Sequence, residues 1–266
     1  MLAKMIVRIL FIGDVVGAPG RSAVTRILPA LREQHAPDLI VINGENAAGG
    51  FGITADTALD LFRAGADILT SGNHIWDKKD TGTLLDREDR IIRPINYPPG
   101  TAGRGYSIIT IKPGVSIAVV NLEGRVYMKN LDCPFRTMDQ VLEVIHKETP
   151  IVFVDFHAEA TSEKSALGWY LDGKVSAVIG THTHVQTADE RILPKGTAYL
   201  TDVGMTGSFD SVIGIEAHQA IQRFLTQQSV RFDVPKKNLR INATIIEIDS
   251  DSGKAVAIKR INQSAE

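Results

Sequence analysis

Apolar runs of strand length alternate, over the first seventy residues, with segments whose apolar positions recur at helical spacing. Ile6–Ile12 is an unbroken Ile/Val-rich stretch apart from Arg8, and it reads as a first core strand. Arg21–Gln34 places Val24, Ile27, Leu28 and Leu31 on one helical face. Leu39–Ile42 reads as strand, Ala55–Ala64 as helix and Asp67–Thr70 as strand again. This β-α-β-α-β rhythm predicts a mostly parallel sheet flanked by helices.

The pattern then changes. Tyr106–Ile111 and Ile117–Leu122, on either side of Lys112-Pro113-Gly114, predict an antiparallel hairpin. A loop over Glu123–Arg136 is followed by a helix over Met138–Glu148 and a strand over Ile151–Phe156. Ser176–Ile179 and Ala198–Leu200 read as further strands, and Ile215–Gln227 as a helix. Arg240–Ile248 and Ala255–Ile261 form a second hairpin around Asp251-Ser252-Gly253. No internal repeat and no Pro/Ser-rich linker divides the chain. The expectation is one α/β domain over residues 1–266: a two-sheet β-sandwich flanked by helices.

Composition narrows the function classes. With 44% hydrophobic and 23% charged residues, the 266-residue chain has the make-up of a folded protein. Its 29 Lys+Arg against 31 Asp+Glu give a net charge of −2, no footprint for duplex DNA or an anionic membrane. The most apolar N-terminal stretch, Met5–Ile12, is too short to span a bilayer. A single cysteine, Cys133, excludes an internal disulfide and fits a reducing compartment, so a cytoplasmic location is expected.

The residues that follow the strands carry the chemistry. Ile9–Ile12 runs into Gly13-Asp14, Leu39–Ile42 into Asn43-Gly44-Glu45-Asn46, and Ile68–Thr70 into Ser71-Gly72-Asn73-His74. Val152–Phe156 ends in His157, and Val178-Ile179 runs into Gly180-Thr181-His182-Thr183-His184. The carboxyl ends of strands are where open α/β sheets build ligand crevices. Singly these are weak signals: Asp14 could cap a helix, and Glu45 or Asn46 could be loop polars. Together, carboxylate, amide and imidazole without thiolate suit Mn, Fe or Zn, and their number exceeds the need of one tetrahedral ion. Two ions sharing a carboxylate fit better, the arrangement used for in-line phosphoryl displacement.

These motifs resemble those of the calcineurin-like metallophosphoesterases, which carry D-x-H, G-D-x-x-D, G-N-H, a lone His and G-H-x-H in that order. The counterparts are Gly13-Asp14, Gly44-Glu45-Asn46, Gly72-Asn73-His74, His157 and Gly180-Thr181-His182-Thr183-His184. Val16 stands where the first motif has His, Glu45 replaces the bridging Asp, and the last block reads G-T-H-T-H. Those substitutions, with the GDVVG, NGENAAGGFG, SGNHIWD, DFHAEATSEK and GTHTHVQTAD segments, are similar to the YmdB-like 2′,3′-cyclic-nucleotide 2′-phosphodiesterases.

The resemblance implies a four-layer α/β/β/α fold. One ion would be held by Asp14, Glu45, Asn46 and His184, the other by Glu45, Asn73, His157 and His182. Iron and manganese are the implied ions, with zinc also suited. A hydroxide bridging them would attack phosphorus, with His74 as general acid to the leaving ribose oxygen. The implied substrate is a cyclic nucleotide or another small phosphodiester, and homo-oligomerisation stays open. Two other readings stand beside this one. One is a general phosphodiesterase or phosphoprotein phosphatase with the same metals; the other is a regulatory cyclic-nucleotide- or RNA-binding protein with little turnover. Asp155 reads equally as a partner of His157 or an ordinary strand-end carboxylate.

Overall fold

The computed structural model describes residues 5–265. In chain order the first half contains β1 (Ile6–Ile12), β2 (Asp14–Val15), α1 (Gly17–His35), β3 (Leu39–Asn43), α2 (Ala55–Ala64), β4 (Ile68–Thr70) and α3 (Thr81–Arg87). The hairpin β5 (Tyr106–Lys112) and β6 (Val115–Glu123) comes next. After it come α4 (Pro134–Ile145), β7 (Val152–His157), α5 (Thr161–Leu171) and β8 (Ala177–Thr181). The last part holds β9 (Arg191–Ile192), β10 (Ala198–Leu200), β11 (Met205–Ser208), α6 (Ala217–Thr226), β12 (Leu239–Asp249) and β13 (Ala255–Ser264).

The strands form two mixed sheets. One runs β2-β11-β12-β1-β3-β4, with β13 also paired to β12; the other runs β5-β6-β7-β8-β10-β9. The parallel sets are β1-β3-β4, β6-β7-β8-β10 and the short pair β2-β11, so each sheet gathers several strand carboxyl ends on one edge. The first sheet is less parallel than its opening rhythm predicts, because the C-terminal hairpin β12–β13 joins it antiparallel to β1.

Alternation within the strands builds the layers. Val7, Ile9 and Phe11 of β1 face the second sheet, where they meet Val119, Phe153 and Ile179 in one cluster. The Phe11 and Phe153 rings meet edge to face at 5.0 Å. On the other side of β1, Leu10 and Ile12 pack with Val24, Ile27, Leu28 and Leu31 of α1. The outer face of the second sheet offers Val120, Val152, Val154 and Phe156 to Met138, Leu142 and Ile145 of α4 and to Leu167 and Leu171 of α5. Helices therefore cover both outer faces, as the four-layer expectation requires. Among the described residues, no helix is long and apolar enough to cross a membrane.

Two expectations need correction. Glu123 is not the first residue of a loop: it ends β6, fully buried and in register with His157 of β7. Helix α4 starts earlier than Met138, because Pro134 at its first position supplies the fixed φ that opens a helix.

Candidate metal centre

The carboxyl ends of β1, β3, β4, β7 and β8 converge where the two sheets meet. The structure brings Glu45, His157 and His182 together, and separately Asp14, Glu45 and His184. In each trio one ligand atom per residue lies within 4.8 Å of the others. Glu45 belongs to both. Asn46 contacts His184 Nε2 through its amide nitrogen at 3.2 Å, and Asn73 Oδ1 lies 2.9 Å from His157 Nε2. All seven residues expected as ligands thus meet in two adjoining groups.

Each imidazole has one nitrogen tied back into the protein. Thr181 donates its hydroxyl hydrogen to Asp155 Oδ1 at 2.7 Å, so at 2.9 Å it accepts from His157 Nδ1. In the neutral ring Nε2 then carries the lone pair. His184 Nδ1 donates to the Ile213 carbonyl at 2.8 Å, which leaves Nε2 facing Asp14 and Asn46. His182 is reversed: Nε2 meets Glu159 at 3.1 Å, and Nδ1 faces the His157 ring at 3.0 Å. Asp155, fully buried, also accepts from Asn43 at 3.0 Å. Its place is behind Thr181, where it fixes the His157 tautomer at one remove.

The donors fit cations by a second criterion. Asp14 Oδ1 and Asn46 Oδ1 are buried acceptor atoms with no hydrogen-bond partner among the described residues. Buried polar atoms are normally satisfied, and two orphaned oxygens beside ligand-facing imidazole nitrogens fit positive charge. The protons respond to the same crowding. Burial alone would raise the Glu45 carboxyl, yet the charge and hydrogen bond of His157 hold it down at about 2. Burial opposes charge on His157, but Glu45 dominates and lifts it to about 9. His182, half-buried and beside charged His157, is pushed down to about 3. A metal-free centre therefore keeps a proton on His157, where a cation would replace it.

The loop carrying His182 and His184 is strained. Both residues have left-handed backbones, with φ of 100° and 65°, a conformation that persists only when neighbours impose it. Asp202 does so from a fully buried position: its Oδ2 accepts from the Thr183 backbone N–H at 3.1 Å and hydroxyl at 2.9 Å, and pairs with Lys164 at 2.6 Å. Neither Lys164 nor Asp202 belongs to the strand-end motifs that mark the ligands in the sequence. Asp202 lies two residues beyond β10, so the strand-end rule could have found it.

His74 stands at the mouth of the centre. Its backbone N–H donates to Glu45 Oε2 at 3.2 Å, and its Nδ1 is held by Asp77 at 2.7 Å. The ring lines a cavity of about 250 Å³ that Glu45, Asn46, His182 and His184 also line. Val16, at the position where the resembling family has His, contributes to the apolar wall of that cavity. Of the polar side chains in the predicted loop, Lys129 reaches the Asn73 carbonyl at 3.0 Å and the Tyr97 hydroxyl at 3.2 Å. Tyr97 donates to Glu123 at 3.1 Å, and burial raises the Glu123 carboxyl. His218 is exposed on α6, away from these groups.

Two sheets between helices, with paired donor groups at their carboxyl edge, define an α/β protein of the metallophosphoesterase type. The chain belongs to the YmdB-like protein family, which matches residues 10–261. It is 51% identical over 254 residues to the 2′,3′-cyclic-nucleotide 2′-phosphodiesterase of Bacillus subtilis (strain 168), covering 96% of each chain. The crystal structure of a novel phosphatase from Mycoplasma pneumoniae superposes with a TM-score of 0.91 at 32% identity, over 98% of this chain and 94% of that one. A hypothetical protein from Thermus thermophilus gives 0.91 at 45% identity, over 97% and 99%.

Proposed function

We propose that the protein is a two-metal phosphodiesterase that opens 2′,3′-cyclic nucleotides at the 2′-oxygen and releases 3′-nucleotides. The observation that carries this is the pair of donor groups sharing Glu45; the Bacillus relative's activity supplies the substrate. Asp14, Glu45, Asn46 and His184 would hold one ion, and Glu45, Asn73, His157 and His182 the other. Iron or manganese is the assignment for these O/N donors, with zinc also accommodated. When bound, such a pair neutralises phosphate oxygens and makes a water nucleophilic at neutral pH.

The chain's own residues do the remainder. His74 Nε2 gives its proton to the departing 2′-oxygen, and Asp77 holds Nδ1–H so that this nitrogen faces the cavity. Asp14 and Glu45 set the negative charge that retains the ions. The Asp155–Thr181 and Glu159 contacts keep the imidazoles in the ligating tautomer. The single cysteine fits a cytoplasmic enzyme.

The test is product analysis with Mn²⁺-loaded protein and 2′,3′-cyclic AMP. The expected product is 3′-AMP, abolished by chelator. Release of 2′-AMP would reverse the leaving-group assignment. Turnover of a generic phosphodiester but not of the cyclic nucleotide would discard the substrate. Two tightly bound ions without turnover of either would favour a binding protein.

A further inference from the structure

Beside the metal-facing side of the cavity is an apolar wall with no part in the chemistry so far. It is formed by Val16, Phe51, Ile213, Ile215, Phe232 and Val234. Phe51 is 36% exposed, an aromatic ring left in contact with solvent at the lip of a charged centre. Its presentation is built into the backbone. Gly49, Gly50 and Gly52 all take left-handed φ, at 72°, 96° and 72°, a conformation glycine adopts without steric penalty. The ring that this loop projects meets His74 edge-on, with centroids 5.0 Å apart.

The neighbour is the informative part. In a nucleoside 2′,3′-cyclic phosphate the base is attached to C1′, the atom next to C2′, which bears the leaving oxygen. Once that oxygen is at His74 Nε2, the base is only three bonds away, within reach of a ring packed against His74. A 3′-leaving oxygen would put the base one ring atom further off. Of the two aromatic rings in the wall, Phe51 is the one in contact with His74, and bases stack on such surfaces whatever their identity. The cavity is also small, about 250 Å³, just below the usual range for ligand pockets, which suits nothing larger than a single nucleotide.

We propose that Phe51 is the nucleobase platform of the site, the residue that selects a nucleoside phosphate over a bare phosphodiester. This rests on the substrate and on the role of His74 proposed above. Because the base does not react, Phe51 acts through binding and not through proton transfer.

Calorimetry on the full-length, Mn²⁺-loaded protein tests it, with 3′-AMP and inorganic phosphate as probes. Phe51→Ala should weaken 3′-AMP binding by about tenfold, a stacking-sized loss, and leave the phosphate Kd where it was. Phe51→Tyr, which keeps the aromatic face, should restore 3′-AMP binding. Unchanged 3′-AMP affinity in Phe51→Ala overturns the proposal. So does a parallel loss of phosphate affinity, which would mean that Phe51 only supports His74 and the centre. The two readings fail separately. If wild-type protein binds 3′-AMP through Phe51 yet does not hydrolyse 2′,3′-cyclic AMP, the hydrolase assignment falls and the platform stands. If it hydrolyses the cyclic nucleotide while Phe51→Ala binds both probes as wild type does, the reverse holds.

Discussion

Replacing Gly72 by alanine tests the dependence of the second metal position on His157. Gly72 has no left-handed backbone, so alanine brings no conformational strain and the effect is purely steric. A Cβ at this position would fall 2.2 Å from His157 Cδ2, 2.3 Å from Nε2 and 2.4 Å from Cγ. Carbon contacts settle near about 3.5 Å, so ring and backbone must separate by about 1 Å or more. Neither yields easily. The ring is fully buried with Thr181 at 2.9 Å behind it, and neighbouring Ser71 is pinned to Asn121 and the Ile92 carbonyl. Metal–ligand distances tolerate only about 0.2 Å. His157 should therefore cease to ligate, and losing an inner ligand weakens an ion by at least about a hundredfold, the upper end of what outer-shell changes do. Stepwise calorimetric titration of metal-free protein with Mn²⁺ reads this directly. One ion should bind as in wild type, at Asp14, Glu45, Asn46 and His184, and the second should bind far more weakly. Overpacking should also lower stability by about 1–3 kcal/mol. Two ions bound with wild-type affinities would refute the assignment of His157.

Three further outcomes are expected. His74→Ala should lower turnover of 2′,3′-cyclic AMP by about 10²–10⁴-fold with both ions retained; full activity, measured alongside metal content, would remove His74 from the mechanism. Asp202→Asn leaves Lys164 buried without its counter-ion, and urea denaturation should show a loss of about 3–5 kcal/mol together with weaker metal binding; a loss below about 1 kcal/mol would sink the anchoring role. In metal-free protein, Glu45 lifts His157 to about 9 from an ordinary 6.5, and His157 holds Glu45 at about 2 against an ordinary 4.5, so their pair stabilises fully between about pH 4.5 and 6.5 and is lost as pH rises from 6.5 through 9. Melting temperature after chelation should fall across that window, and fall less in His157→Gln; a level profile in wild type would contradict the pairing.

Much of this centre is legible in the sequence because strand ends announce themselves. An apolar run that stops at Gly13-Asp14 or at Gly44-Glu45-Asn46 says both where the strand ends and what it delivers. Parallel pairing then collects those deliveries on one edge. The same rule reaches Glu123, which directly follows the apolar run of β6 at Leu122, and Asp202, two residues beyond β10. Glu159 and Asp77 are not legible as partners of His182 and His74. Nothing in local spacing says which exposed carboxylate will turn toward an imidazole, and the Glu159 contact spans separate loops. Helix α5 escapes a reading by periodicity because buried Glu163 and Lys164 interrupt its apolar face. Both are buried for polar work: Glu163 accepts from the backbone N–H groups of Arg125 and Val126, and Lys164 pairs with Asp202. Strands β2 and β9, two residues each, are too short to show a period at all.

The left-handed backbones at His182 and His184 are equally invisible. They follow from the buried Lys164–Asp202 pair pulling on Thr183, a contact between residues 38 positions apart. The strain belongs to the site rather than to the fold, since it turns one histidine to each donor group.

The most direct test of the central claim is a titration of metal-free protein with Mn²⁺ in which bound metal and hydrolysis of 2′,3′-cyclic AMP are followed together. Two ions should bind per chain, 3′-AMP should form only as the second position fills, and Glu45→Ala should abolish both binding steps. Saturation of activity at one ion, or two ions still bound by Glu45→Ala, would contradict a pair bridged by this carboxylate.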